Sequence, residues 1–415
     1  MFLELITIGD ELLLGYTVDT NAAHLARELA AVGVSIVRRA TVGDNAADIV
    51  TCVRDALDRT GAVITTGGLG PTADDLTRPA IAELFGRELV PDEARWEALR
   101  ALWKERARGE IPLANRSQIM IPRGATVLDN RHGTAPGLWL EDERGRWCAM
   151  LPGVPREMRG MLVDVLLPRL TMRLDRADGV VRSGTLRTTG VAESKLPELL
   201  GPHTRSVNGL PLSYLPGQEG VDLRVTARGL SAADADAALS AAIDELRVRV
   251  ARYAYAEGQT DLASVVLDLC AERGLHIAVA ESCTGGLLGA RLTAVPGSSA
   301  VVTGGVIAYS NAVKERMLGV ATDTLQRDGA VSESVAVEMA VGARRTTGAE
   351  VGISLTGVAG PGGGTAEKPV GLVWIAVDVA GTVRTHGSRF VGDRTEIRFR
   401  ATQAALDLVR RMVAG

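Results

Sequence analysis

Aromatic residues make up only 3% of this 415-residue sequence, cysteine occurs four times, and neither charge sign dominates. Cys52, Cys148, Cys270 and Cys283 are far apart and form no C-x-x-C pair. That spacing argues against a disulfide framework and against a thiolate zinc site, and it fits the reducing cytoplasm. No apolar run approaches the roughly 18 residues of a membrane-spanning helix. Asp10 and Glu11 stand where a signal peptide would need a basic start, so neither export nor membrane insertion is expected. A formal charge of -4 lacks the basic excess that binding to a phosphate backbone normally uses, which disfavours nucleic acid as a partner. Lysine is scarcest: of 46 basic residues only Lys104, Lys195, Lys314 and Lys368 are lysine. Each is worth a question, because lysine can give up its proton and arginine cannot.

What is present is ample core material. Hydrophobic residues form 46% of the chain and charged residues 23%, which excludes disorder and fibrous structure. At about 150 residues per domain the length implies two or three domains. Residues 1–172 alternate apolar β-rich runs with amphipathic stretches, the pattern of a mostly parallel sheet covered by helices. Strands are predicted over 2–8, 34–42, 62–66, 137–140 and 147–151. Helices are predicted over 20–31, 45–59, 78–85, 92–108 and 156–170. Residues 175–255 change texture to a small α+β module, with an alanine-rich helix capped by Ser231. Its Gly217-Gln218-Glu219-Gly220 has the spacing of a KH-domain GxxG loop, but Glu219 would repel a phosphate backbone, so a plain turn is the preferred reading. Residues 258–415 form a third α/β unit whose strands run into two glycine-rich loops.

Strand, glycine-rich turn and helix together offer backbone N–H groups to an anion at the sheet's C-terminal edge. Residues 66–77 have that form. Asp74 and Asp75 sit beside the loop, while Asp10, Glu11 and Asp44 follow the first two strands. Converging strand ends could gather these carboxylates around a divalent cation bridging to phosphate. Equally, Asp and Gly simply make turns.

Gly67-Gly68-Leu69-Gly70-Pro71-Thr72-Ala73-Asp74-Asp75-Leu76-Thr77 follows Gly9-Asp10-Glu11-Leu12-Leu13-Leu14-Gly15 and precedes Leu151-Pro152-Gly153-Val154-Pro155. This ordered set resembles the MoaB/MogA molybdopterin-binding fold. Leu69 stands where molybdopterin enzymes carry threonine, which argues against pterin-phosphate recognition. The sequence is more similar to the N-terminal domain of the CinA (competence/damage-inducible) family, where this fold is associated with metal-dependent hydrolysis of ADP-ribose. The resemblance implies metal ligation by Asp10, Glu11, Asp44, Asp74 and Asp75, with magnesium, manganese or cobalt as candidates. It implies phosphate or nucleotide contacts from Gly67, Gly68, Gly70, Thr72, Pro152 and Gly153.

In the last third, Ser282, Cys283 and Thr284 place three possible nucleophiles at a strand-to-helix turn, before Gly285 and Gly286. Backbone donors of the helix start at 284–286 could stabilise an oxyanion there. Alternatively Ser282 or Thr284 is only a helix cap. A serine nucleophile needs a base, and His276 falls inside the preceding strand, committed to packing. Lys314 opens the helix after the 301–309 strand, and adjacent parallel strands would bring it beside Ser282. It must be neutral to act, through burial or a neighbouring cation such as Arg394, which could also hold a substrate phosphate. The alternative for Lys314 is a solvated helix residue.

Ala280-Glu281-Ser282-Cys283-Thr284-Gly285-Gly286, Tyr309-Ser310-Asn311, Gly329-Ala330-Val331-Ser332, Gly357-Val358-Ala359-Gly360-Pro361-Gly362-Gly363 and Glu367-Lys368-Pro369-Val370-Gly371 together resemble the CinA C-terminal domain. The family includes nicotinamide mononucleotide deamidases with a serine–lysine dyad. The resemblance implies Ser282 as nucleophile and Lys314 as base, with Tyr309, Thr284, Gly285, Gly286, Thr356 and Arg394 around the substrate and no metal. Gly362 stands where some relatives carry aspartate, and Cys283 becomes a packed neighbour. The expectation is a cytoplasmic, homodimeric, two-activity hydrolase acting on nicotinamide mononucleotide and ADP-ribose. A molybdopterin-binding protein and a competence-linked or DNA-associated adaptor are the alternatives.

Overall fold

The computed structural model describes residues 1–105, 109–174 and 179–414. Among these, no helix is long and apolar enough to cross a membrane. Contacts divide the chain into two compact units, Met1–Arg182 with Ala227–Ala237, and Ser183–Thr226 with Ala238–Gly415.

The first unit is built on a six-stranded sheet in the order Ser35–Val42, Phe2–Ile8, Ala62–Thr66, Trp147–Leu151, Gly137–Glu141, Thr126–Leu128. The first four strands run parallel, Gly137–Glu141 runs antiparallel to its neighbour Trp147–Leu151, and Thr126–Leu128 runs antiparallel to Gly137–Glu141. Strands sandwiched between helices are apolar on both faces, and Ala62–Thr66 and Trp147–Leu151 are buried at every position. Alternation along Phe2–Ile8 sends Leu3 and Leu5 into a core with Leu25, Leu29, Met158 and Leu166, while Ile6 and Ile8 join Ile49, Val53 and Ile81. On that second face Glu4 is buried against Arg59, which donates to it at 2.6 and 2.8 Å and holds its carboxyl below the usual range.

The helix punctuation follows the sequence closely. Asp19 caps Thr20–Ala31, Asn45 accepts from the N–H groups of Ala47 and Asp48 at the start of Ala46–Thr60, and Gly61 at φ 72° closes that helix. The predicted 156–170 helix is instead Pro155–Thr171 with a wider turn at Leu162–Leu166. Pro168 explains the interruption, because it removes an N–H and crowds the carbonyl one turn earlier. A ribbon of Leu89–Pro91 against Met120–Pro122 was not anticipated; each strand ends in proline, which masks its β signal. Helix Glu93–Glu105 forms as expected, while the expected extension to Arg108 lies outside the described residues.

The middle region makes a five-stranded sheet, ordered Ser206–Val207, Leu210–Pro216, Val221–Leu230, Val180–Thr188, Ala254–Glu257. Gly217–Gly220 is its hairpin turn, closed by Gly217 N–H donating to the Gly220 carbonyl, and Glu219 pairs with Arg187. The module is not a contact unit by itself. Gln403 donates to Thr189, and Arg410 of the terminal helix donates to the carbonyls of Arg252 and Ala254.

The C-terminal sheet runs Val302–Ile307, Ile277–Glu281, Val351–Gly357, Leu372–Val379, Thr382–Arg389; the first three strands are parallel, and each of the last two is antiparallel to the strand before it. Helices Leu262–Glu272 and Arg394–Ala414 pack into one core with its apolar face, and Glu333–Thr347 into another.

Candidate active site

Ile277–Glu281 is fully buried and pairs in parallel with Val302–Ile307, Glu281 opposite Ile307. Both strands therefore release their chains at the same level of the sheet. The first enters the turn at Ser282. The second enters helix Asn311–Leu318, whose start is capped by Ser310. Lys314 points back from this helix and is only 1% exposed. Its Nζ lies 3.1 Å from Ser282 Oγ and donates to the Ala308 carbonyl at 2.7 Å. The solvated-helix reading of Lys314 thus does not hold.

Burial pushes the Lys314 pKa down, and the neighbouring Cys283 only opposes this. Arg394 is not the cause: its guanidinium donates to the Gly360 carbonyl at 2.7 Å and to Tyr309 Oη at 3.1 Å. A 300 Å³ cleft opens on the pair, walled by Tyr309, Asn311, Arg394, Thr356 and the 357–363 glycine loop. Cys283 is buried, its thiol pushed up to about 12, which removes it as a competing nucleophile. His276 is not in the strand core; it lies just before the strand, half exposed and paired with Glu350.

Three expectations change here. Thr284 is fully buried and outside the cleft wall, and its carbonyl is held by Arg398. The N–H groups of Gly285 and Gly286 are spent on the Ser282 carbonyl and on Glu281, so these two of the anticipated oxyanion donors are engaged. Thr356 lines the cleft, but its hydroxyl donates to the Ala330 carbonyl at 2.6 Å. Asn311 and Glu281 were not singled out. Asn311 carried a signal in standing two residues after Tyr309, and Glu281 in being a carboxylate at the end of an apolar strand.

In the N-terminal unit a 470 Å³ crevice lies at the strand ends, walled by Gly67, Gly68, Gly70, Pro152, Gly153 and Asn21. The glycines are required: a Cβ at Gly67, φ 111°, would stand 2.1 Å from the Ile8 carbonyl oxygen. Glu11, Asp19, Asp44, Asp74, Asp75 and Glu157 also face it, whereas its walls include no lysine or arginine among the described residues. The five anticipated ligands do not form one cage; among the described residues no three acidic, histidine or cysteine side chains stand close enough to hold an ion. Three carboxylates accept from backbone N–H groups, Asp44 through one oxygen only. Asp75 accepts from Gly70 N–H, Thr72 N–H and the Thr72 hydroxyl, which also removes Thr72 from the wall. Asp10 accepts from Asp44 N–H while its own N–H donates back to Asp44. Beneath the loop, Arg78 is buried and donates to the Leu69 carbonyl at 2.8 Å, its pKa lowered to about 10 by burial. Glu11, Asp44 and Asp74 fit a metal only where an ion shares one or two carboxylates with substrate phosphate oxygens, the usual habit of magnesium.

A parallel-rich sheet domain with a glycine crevice, a KH-like module and a second α/β domain with a buried serine–lysine pair define a modular α/β protein. Family models match these parts in turn: "Probable molybdopterin binding domain" over 4–172, "Damage-inducible protein CinA KH domain" over 183–256 and "CinA C-terminal domain" over 259–413. The chain belongs to the CinA family. A "CinA-like protein" of Gemmatimonas aurantiaca is 59% identical over 414 residues, covering 100% of this chain and 97% of that protein. A "Putative competence-damage inducible protein" of Moorella thermoacetica is 44% identical over 411 residues, with 98% of each covered. Among solved structures, the competence/damage inducible protein CihA from Agrobacterium tumefaciens is 44% identical, covers 37% of this chain and 94% of its own, and gives a TM-score of 0.36.

Proposed function

We propose that the C-terminal site hydrolyses the carboxamide of nicotinamide mononucleotide to the carboxylate and ammonia. The observation that carries this reading is the 3.1 Å approach of a buried, pKa-depressed lysine amine to Ser282 Oγ. In its neutral form the Lys314 lone pair accepts the Ser282 proton as Oγ attacks the carboxamide carbon. The Ala308 carbonyl, accepting from Nζ, keeps that lone pair aimed at the serine. Collapse of the tetrahedral adduct breaks the C–N bond, and the Lys314 ammonium returns the proton to departing ammonia. A water then attacks the acyl-serine with Lys314 again as base, releasing nicotinate mononucleotide and regenerating Ser282. Arg394 and Tyr309 stand at the cleft rim, where a cation and a phenol suit the nucleotide's phosphate and ribose.

For the N-terminal crevice the same proposal assigns metal-dependent hydrolysis of the ADP-ribose pyrophosphate. Its acidic walls repel a bare pyrophosphate, so a divalent ion shared with Glu11, Asp44 or Asp74 would supply the missing positive charge. The test incubates wild type and Ser282→Ala with each nucleotide, with and without divalent metal, and identifies products by mass. Ser282→Ala should lose ammonia release and keep ADP-ribose cleavage. Normal deamidation by that variant overturns the C-terminal assignment.

A further inference from the structure

The turn that carries Ser282 is clamped from two sides. Glu281, the last residue of its strand, is 1% exposed. One carboxylate oxygen accepts from Gly286 N–H and Leu288 N–H, both at 3.1 Å, and the other accepts from Gly289 N–H at 2.8 Å. On the other side Arg398, from the terminal helix Arg394–Ala414, donates to the Thr284 carbonyl through Nε at 3.1 Å and Nη2 at 2.5 Å. A buried carboxylate that takes three backbone N–H groups satisfies donors at the start of Leu287–Thr293 that its sequence leaves without a side-chain cap. Ser282 itself donates its N–H to the Leu355 carbonyl, accepts at its carbonyl from Gly285 N–H and meets Lys314 Nζ at Oγ.

We infer that Glu281 and Arg398 are positioning residues for the serine. The carboxylate and the guanidinium fix the 282–286 turn so that Oγ stays within reach of Lys314. Neither group stands in the cleft wall, so neither touches the reacting atoms. The carboxylate also closes the helix start to anionic intermediates, because its charge occupies the N–H groups an oxyanion would need. Electrophilic help for the tetrahedral adduct therefore does not come from the Gly286, Leu288 or Gly289 N–H groups. This inference rests on Ser282 being the nucleophile, but not on the identity of the substrate.

Glu281→Gln is the direct test, since it keeps the shape but turns an amide NH₂ toward a backbone N–H that needs an acceptor. Arg398→Lys is the second variant, with charge kept and the two-pronged grip on Thr284 lost. Two readouts are taken on folded protein of matched melting behaviour: labelling of Ser282 by a fluorophosphonate, followed by mass spectrometry, and deamidation of nicotinamide mononucleotide. Displacement of the serine should slow both labelling and kcat by about ten- to a hundredfold, with KM within about twofold. Glu281→Asp should recover less than wild type and more than Glu281→Gln. Unchanged labelling in both Glu281→Gln and Arg398→Lys overturns the inference. A fall in labelling with no deamidation even by wild type retains the clamp and sinks only the substrate.

Discussion

Replacing Lys314 by methionine tests the chemistry most directly, because it keeps an unbranched apolar stem out to Cε, with sulfur in place of Cδ, and removes the amine. Losing a positioned base costs about 10²–10⁴ in rate, or roughly 3–5 kcal/mol at 1.36 kcal/mol per tenfold. Stability should respond differently. The Ala308 carbonyl loses its donor, a penalty of about 1–3 kcal/mol, yet the fold no longer encloses an ionisable amine in a site 1% exposed. The sign of the pH dependence separates these terms. Burial lowers the folded pKa of Lys314, so the unfolded chain binds the proton more readily. Wild-type stability must therefore rise with pH between the folded pKa and the ordinary lysine value of about 10.4. Lys314→Met lacks that rise. The kcat/KM of wild type should climb through the same depressed pKa, measured by coupled ammonia release across a pH series with melting followed in parallel. A variant that keeps more than about a tenth of wild-type kcat refutes the dyad.

Chelation should divide the two activities: a divalent-metal chelator abolishes ADP-ribose cleavage and leaves deamidation at its starting rate, and parallel loss of both would contradict separate chemistries. In the N-terminal unit, Glu4→Gln should cost about 1–2 kcal/mol, reduced from a fully buried pair because Arg59 is 42% exposed. Arg59 depresses the Glu4 pKa, so the contribution of the pair is present above about 4.3 and is lost as pH falls through the folded value. Acid titration of melting temperature should thus show wild type and Glu4→Gln converging at low pH.

The serine–lysine pairing was legible because it depends on two strand ends in register and on one lysine among few, both visible in residue order. The boundaries of Ala46–Thr60 were legible for a similar reason, since Asn45 and Gly61 act locally. What stayed hidden depends on side-chain direction. Glu281 reads as the end of a strand, and nothing in its neighbours says that its carboxylate turns back onto Gly286, Leu288 and Gly289. The bond to Gly286 takes one of the anticipated oxyanion donors. At the strand ends, Asp10, Asp44 and Asp75 had the residue type of metal ligands, but bonds to backbone N–H groups engaged oxygens of all three. Ser206–Val207 and Leu210–Pro216 were also missed, because Pro211 and Pro216 at the ends of the longer strand interrupt the β pattern.

Ser282 and Lys314, the proposed nucleophile and base, come from separate segments brought together by lateral pairing of two strands. A nascent or denatured chain, in which that pairing is absent, carries Ser282 as an unremarkable alcohol and Lys314 as an ordinary ammonium. On the proposed roles, reactivity should switch on with docking of the outer strand, and covalent capture of Ser282 would report local folding at that edge. Heating the protein in the presence of such a reagent would register separation of the two segments as a fall in capture, even where bulk helical signal persists.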